Sequence, residues 1–346
     1  MTTNVVVATY HGVVLGCDSL SSITERAFFP FRQPNALARD ANGDLMTDPQ
    51  GRLLLVYSDQ NLTPTPTNVM GGVQKMFLLH EGPDPSNIEC SVAAVTSGLG
   101  TLNGVVIAEL AARFRWRERG HAYTKAIDVL TDFLDFVRPQ WEAAVYFDDV
   151  DEAFRPNLDD LKFLASGYGS DDEYIKVFHV SVSQQSVVEQ FPEPPHCSAT
   201  WAGQTNSIAN LVNGRNFITE WKLNRALAEA LRTQRESLVA SVLEQLRAQG
   251  VQVPEPFNAV IDEEIPASLP WDDVHAPIDW QNLPVQSAVD LVSTLVNAES
   301  AIQKFSHGIA TVGGRTRIGL MRRGTPFAFL NEPEIVHHHV GYHYDA

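Results

Sequence analysis

The residues best equipped for chemistry stand in the order Thr2, Asp18, Lys75 and Gly98. Thr2 follows Met1, and methionine is ordinarily trimmed before a residue as small as threonine. Its removal would leave one residue carrying a nucleophilic hydroxyl and a free α-amine. That amine titrates near about 7.7–8, so it can act as general base for the hydroxyl beside it. Lys75 heads an apolar run, and a buried ammonium near the amine would lower the amine's pKa toward neutrality. Asp18 would compensate such a buried charge. Gly98 lies in Thr96-Ser97-Gly98-Leu99-Gly100, where a backbone N–H can receive a developing oxyanion. Each also has a plain structural reading: Asp18 as a turn cap before Ser19, Lys75 as a solvated charge at a strand start, Gly98 as a strand-to-helix turn.

The elements that must position these groups follow from hydrophobic patterning. Residues 4–10 and 13–17 are β-branched apolar runs around His11-Gly12, which predicts a hairpin with a two-residue turn. Near-continuous apolarity implies a sheet covered on both faces. With that turn, Asp18 falls opposite Val5, about 10 Å along the sheet from Thr2 at 3.3 Å per residue. At this distance Asp18 cannot deprotonate Thr2 and can only position a lysine. Lys75–Leu79 and Ser91–Val95 continue the core strands. Helices are expected over 102–116 and over 125–137, the latter ending before Pro139. Strands follow at 163–167 and 175–182, then helices at 206–213, 217–249 and 286–304, and a last strand at 317–321. The polar stretch 22–72 reads as an insert, with Leu53–Ser58 pairing near Leu45 across Asp48-Pro49-Gln50-Gly51. Strand runs alternating with helix runs suggest two antiparallel sheets between helical layers.

The 346 residues carry a net charge of −17, with 44% hydrophobic and 19% charged residues. That balance fits a soluble globular chain and argues against nucleic-acid or anionic-membrane partners. The three cysteines, Cys17, Cys90 and Cys197, imply no disulfide framework and a reducing, cytoplasmic setting. Neither a signal peptide nor a membrane span is evident. His337-His338-His339 and His343 invite a metal reading, but adjacent strand residues point to opposite faces, so a solvated tail or an assembly contact is expected. Cys17 has no histidine at a readable spacing, and Gly98-Leu99-Gly100 does not complete a dinucleotide fingerprint.

Thr2-Thr3 followed by Gly12-Val13-Val14-Leu15-Gly16-Cys17-Asp18-Ser19 resembles the opening of proteasome β-type subunits of the N-terminal nucleophile hydrolase superfamily. Asp18 stands 16 positions after Thr2 (18 minus 2), the family spacing. Lys75 matches the family's strand-leading lysine and Gly98 its first glycine turn. Residues 163–168 with 174–180 are similar to its strand pair, and Ser198–Gly203 to its second glycine turn. The resemblance implies that Thr2 is the nucleophile, Asp18 the anchoring carboxylate, Lys75 the pKa-tuning lysine and the Gly98 N–H the oxyanion donor. A short Asp-x-x-Ser-Gly element should support the amine. Ser306 matches its serine with Gln303 at the aspartate position, and Thr311-Val312-Gly313-Gly314 is an alternative alignment.

The expectation is an α+β protein, a four-layer αββα sandwich, forming one domain over 1–346 with insertions at about 22–72 and 217–285. Its expected activity is threonine-type hydrolysis of peptide or amide bonds, without cofactor or metal, in a homo-oligomer such as a ring or a dimer of rings. No unfoldase partner is identifiable. The alternatives are a non-catalytic scaffold subunit and a small-molecule amidase.

Overall fold

The computed structural model describes residues 2–28, 36–56, 62–82, 88–252, 275–305 and 310–331. They form a mixed α+β fold with two five-stranded sheets and five α-helices. The helices are α1 (Ile107–Arg117), α2 (Ala126–Ala144), α3 (Asn206–Asn213), α4 (Phe217–Ala248) and α5 (Val285–Phe305). Two compact units divide the chain: Met1–Thr205 with Asp279–Ala346, and Asn206–Ile278. The second holds α3 and α4, and α4 has no buried residue along its length. Among the described residues no helix is long and apolar enough to cross a membrane.

Both sheets lie in the first unit. One is built on β1 (Thr3–Thr9) and β2 (Gly12–Cys17), the two apolar runs of the N-terminus, every residue of which is buried. The other contains β5 (Met76–Glu81) and β6 (Ser91–Gly98). Among the described residues, β3 (Ser21–Phe28) and β4 (Leu62–Met70) pair only with each other, and β7 (Thr101–Leu102) with β8 (Val105–Val106). The second sheet is completed by β9 (Leu161–Tyr168), β10 (Lys176–Ser181) and β11 (Ser186–Glu189), in the order β11-β10-β9-β6-β5. β12 (Ser198–Gly203), β13 (Arg317–Met321) and β14 (Ala328–Phe329) complete the first, ordered β12-β1-β2-β13-β14.

Alternation along the strands decides what each face meets. Val6, Ala8, Val13 and Leu15 pack against Met76, Ala93, Val95 and Leu164, so the two sheets share one core. The other face of β1 and β2 meets α5. That approach is close: a Cβ on Gly16 would stand 2.1 Å from Val292 Cγ1. On the far face of the second sheet, Phe77, Ala94, Phe163 and Phe178 pack with Leu110, Phe114, Phe133 and Trp141 of α1 and α2.

Three elements differ from the sequence expectation. The first turn is Tyr10-His11, because Gly12 is itself in β2 opposite Thr9. Gly12 has φ +149°, and a Cβ there would meet the Met321 carbonyl at 2.7 Å, so glycine serves a close approach rather than the turn. The expected helix over 102–116 starts only at Ile107, since Asn103 and Gly104, at φ +48° and +79°, turn the β7–β8 hairpin first. α2 runs through Pro139 to Ala144 because its apolar stripe continues past it, with Phe133, Val137 and Trp141 all buried. Within the 22–72 stretch, the pairing expected between Leu53–Ser58 and the segment around Leu45 is present only as an isolated bridge, Thr47 to Leu53. Leu55 bridges Leu37 and Leu45 bridges Arg39, and residues 57–58 lie outside the described residues. The predicted strands at 163–167 and 175–182 correspond to β9 and β10, paired antiparallel.

Inside the helix-facing core, His80 is 1% exposed and packs edge-on against Tyr123 at 4.9 Å. Burial pushes its pKa down to about 4, with the His121 charge adding to the shift. Between that value and the ordinary 6.5, the unfolded chain holds the proton and the folded chain does not. Stability should therefore fall by up to about 3 kcal/mol as pH drops through this window. Urea midpoints at pH 4 and pH 7 check it, and His80→Phe should flatten the dependence.

Candidate active site

The register of the first hairpin sets the site. Asn4 pairs with Cys17, so Asp18 follows opposite Thr3 rather than Val5. Asp18 thus stands beside the Thr2–Thr3 peptide, two residues nearer than the predicted turn would place it. Its Oδ1 accepts the Thr3 N–H at 3.0 Å and pairs with Lys75 Nζ at 2.8 Å. Its Oδ2 accepts the N–H groups of Leu20 at 3.2 Å and Gly313 at 3.1 Å. Four donors on one carboxylate match the acceptor capacity of its two oxygens. The pair is buried, with side-chain exposures of 4% for Lys75 and 1% for Asp18.

Lys75 directly precedes β5, and its carbonyl accepts the Thr96 N–H at 2.9 Å. Its ammonium also donates to the Leu20 carbonyl. Burial lowers its pKa from the ordinary lysine value, against the opposing pull of Asp18. Two bonds of 2.8 and 3.0 Å from one Asp18 oxygen hold Lys75 Nζ and the Thr3 nitrogen within about 6 Å of each other. Cys17, beside this pair, is fully buried, and burial followed by the Asp18 charge pushes its thiol up to about 12. It is held as a thiol, a poor nucleophile.

Thr2 is 5% exposed. Its carbonyl accepts the Gln204 N–H at 2.7 Å, so the Thr2–Thr3 peptide is held from both sides. Gly203, opposite Thr3 in the β1–β12 pairing, has φ +89°. A Cβ on it would lie 1.9 Å from the Thr2 carbonyl oxygen, so only glycine lets β12 close over this residue. The Thr3 hydroxyl donates to the Gln204 carbonyl at 2.5 Å, and the Thr311 hydroxyl to Gln204 Oε1 at 2.8 Å.

Gly98 ends β6, opposite Leu161, at φ +92°. A Cβ there would meet the Asp160 carbonyl oxygen at 2.1 Å, a structural reason for glycine whatever its amide does. Thr96, two residues earlier, gives its N–H to Lys75 and takes Asn4 Nδ2 on its carbonyl at 3.0 Å. The end of β6 is thereby tied to both Lys75 and β1.

Ser306 and the histidines at 337–339 and 343 lie outside the described residues. Gln303 lies on α5, with its Nε2 3.5 Å from Glu299 Oε1. The segment at Asp18 is Thr311–Gly314: Gly313 donates to Asp18, its carbonyl accepts the Ser19 N–H at 3.1 Å, and Thr311 and Val312 are buried. Among the described residues no three potential ligands converge on a metal position. Gln204 and Leu20 had no role in the sequence reading. The signal for Gln204 was its place directly after the Gly203 turn.

No family model matches the sequence, and no curated protein does. The chain is similar to solved structures of Anbu. A Gly-1 mutant of Anbu from Hyphomicrobium sp. strain MC1 has a TM-score of 0.44 at 10% identity, covering 96% of this chain and 86% of that one. Anbu from Yersinia bercovieri, described as an ancestral beta-subunit, has a TM-score of 0.43 at 9% identity, covering 95% and 87%. These findings correct the identification of the chain as a proteasome β-type subunit of the N-terminal nucleophile hydrolase superfamily. The solved structures compared above are Anbu proteins, at an identity that carries no superfamily membership. The motif behind the identification is dense only at the N-terminus, a small part of 346 residues.

Proposed function

We propose that this chain hydrolyses amide bonds with Thr2 as nucleophile once Met1 has been removed. The observation that carries the reading is the buried Asp18–Lys75 pair, joined to the peptide that follows Thr2. A strand end with an ordinary turn cap does not need a buried ammonium, which is costly unless paired and hydrogen-bonded. A cation held there disfavours a second positive charge nearby, which keeps the Thr2 amine neutral and able to take a proton.

The steps balance on Thr2 alone. The hydroxyl proton passes to the α-amine as Oγ1 attacks the substrate carbonyl carbon. The amine returns that proton to the leaving nitrogen as the C–N bond breaks, and an acyl ester remains on Oγ1. Water, deprotonated by the same amine, cleaves the ester and restores Thr2. Lys75 tunes the amine, Asp18 anchors Lys75 and the Thr3 N–H, and we assign the Gly98 N–H to the oxyanion. Ser306 has no step in this scheme.

Peptide amides are the proposed substrates, and turnover of small acyl amides but not peptides would identify the amidase instead. Turnover by the wild type and none by Thr2→Ala, with the fold retained, is the expected result. The competing scaffold reading is favoured by the burial of Thr2. Equal behaviour of wild type and Thr2→Ala would establish that reading. We take the stacking of α5, the two sheets, and α1 with α2 as the expected αββα order, and Asn206–Ile278 as an insertion in one catalytic domain. The proposal keeps a cytoplasmic, homo-oligomeric setting, and sedimentation velocity on the purified protein tests the assembly.

A further inference from the structure

The two halves of the proposed chemistry stand on different sheets. Thr2 precedes β1 and Asp18 follows β2 in the first sheet, while Lys75 precedes β5 and Gly98 ends β6 in the second. The contact between these sheets is built on apolar side chains, Val6, Ala8, Val13 and Leu15 against Met76, Ala93, Val95 and Leu164. Such contact is non-directional and does not by itself fix how one sheet sits along the other. Asn4 is the polar exception on that face of β1. Alternation puts it in line with Val6 and Ala8. It is fully buried, and its Nδ2 donates to the Thr96 carbonyl of β6 at 3.0 Å. Because a carbonyl only accepts, the nitrogen of the Asn4 amide must be the atom that faces it. Thr96 in turn gives its N–H to the Lys75 carbonyl at 2.9 Å. One short side chain thus joins the strand of Thr2 to the strand that ends at Gly98 and, through Thr96, to the backbone of Lys75.

Asn4 Oδ1 accepts no hydrogen bond among the described residues. A buried amide with one side unused costs stability, and an apolar side chain of the same shape would not carry that cost. Asparagine at this position is therefore poorly explained by stability. We propose that Asn4 is a positioning residue that sets the distance between Thr2 and the Gly98 N–H. The inference rests on the reading of Thr2 as nucleophile and of the Gly98 N–H as oxyanion donor. The Asn4–Thr96 bond stands two residues from each of them, about 7 Å along either strand. Lys75 also crosses from one sheet to the other, to Asp18, but on a flexible four-carbon stem. Asn4 reaches the β6 backbone through a single methylene. A misplacement of about 1 Å between reacting groups can cost about a hundredfold in rate. Asn4 carries no charge and takes no proton, so it acts on the rate and not on the titration of the Thr2 amine.

The test is Asn4→Leu, close to asparagine in shape, read by urea unfolding and by Thr2 acylation with a β-lactone, followed by intact mass from about pH 5 to 9. Acylation is expected to slow about tenfold at every pH, with its acid midpoint unmoved and the urea midpoint equal to or above that of the wild type. In turnover of a peptide amide the loss should fall on kcat, with KM kept. A purely structural role gives the opposite pattern, a lower urea midpoint with the wild-type rate in the folded protein, and overturns this inference alone. A shifted acid midpoint also overturns it, because Asn4 would then be tuning the amine. If Asn4→Leu does not fold, Asn4→Ala removes the same bond without added bulk, and a wild-type acylation rate in that variant overturns the inference instead. Absence of any adduct on the wild type refutes the Thr2 reading and this inference with it.

Discussion

Lys75→Met is expected to slow Thr2 acylation by about a hundredfold to a thousandfold and to destabilise the fold by about 3–5 kcal/mol. The two effects have different causes. Stability falls because Asp18, 1% exposed, is left with three N–H donors and no cation partner. Under the proposed mechanism, rate falls because the Thr2 amine loses the charge assigned to keep it unprotonated. The double variant Lys75→Met/Asp18→Asn separates the causes. Removing both charges should recover more than half of the lost stability, since an apolar or neutral replacement of a buried pair is often tolerated. Acylation should stay lost. Urea unfolding and intact-mass kinetics on the three proteins read both quantities. A Lys75→Met protein that acylates like wild type would show the pair to be purely structural.

Gly203→Ala is the second large effect. The added Cβ would stand 1.9 Å from the Thr2 carbonyl oxygen, and neither backbone atom involved belongs to a flexible side chain. The left-handed φ of +89° adds its own cost of about 1–2 kcal/mol for a residue with a Cβ. β12 must therefore move away from β1 at the proposed nucleophile. A displacement near 1 Å suffices to lower the rate about a hundredfold. Stability should drop by about 3 kcal/mol or more, because the clash and the strain act together. The readouts are the thermal midpoint and the acylation rate, and a loss confined to stability would show that Thr2 does not depend on the position of β12.

The hairpin shows how the sequence both reveals and hides the site. The apolar runs of β1 and β2 are legible because every residue in them is buried. The turn is not, since His11-Gly12 has the composition of a two-residue turn while Gly12 is needed against Met321. That register difference moves Asp18 from an indirect place opposite Val5 to a direct bond with the Thr3 N–H. The order Thr2, Asp18, Lys75 is readable because each residue sits at a strand end. Gln204 and Thr311 are not readable, because they meet only across 107 residues of chain, and Gln204 reaches Thr3 across 201. Pro139 misleads for a related reason: local propensity marks a helix end, and the burial of Trp141 overrides it.

Whether Thr2 becomes the N-terminal nucleophile is decided by mass spectrometry of the protein purified from its native cells and treated with a β-lactone. The expected result is a chain lacking Met1, with one acyl adduct that maps to Thr2 and is absent from Thr2→Ala. A chain that retains Met1, or an adduct that maps elsewhere, would contradict it.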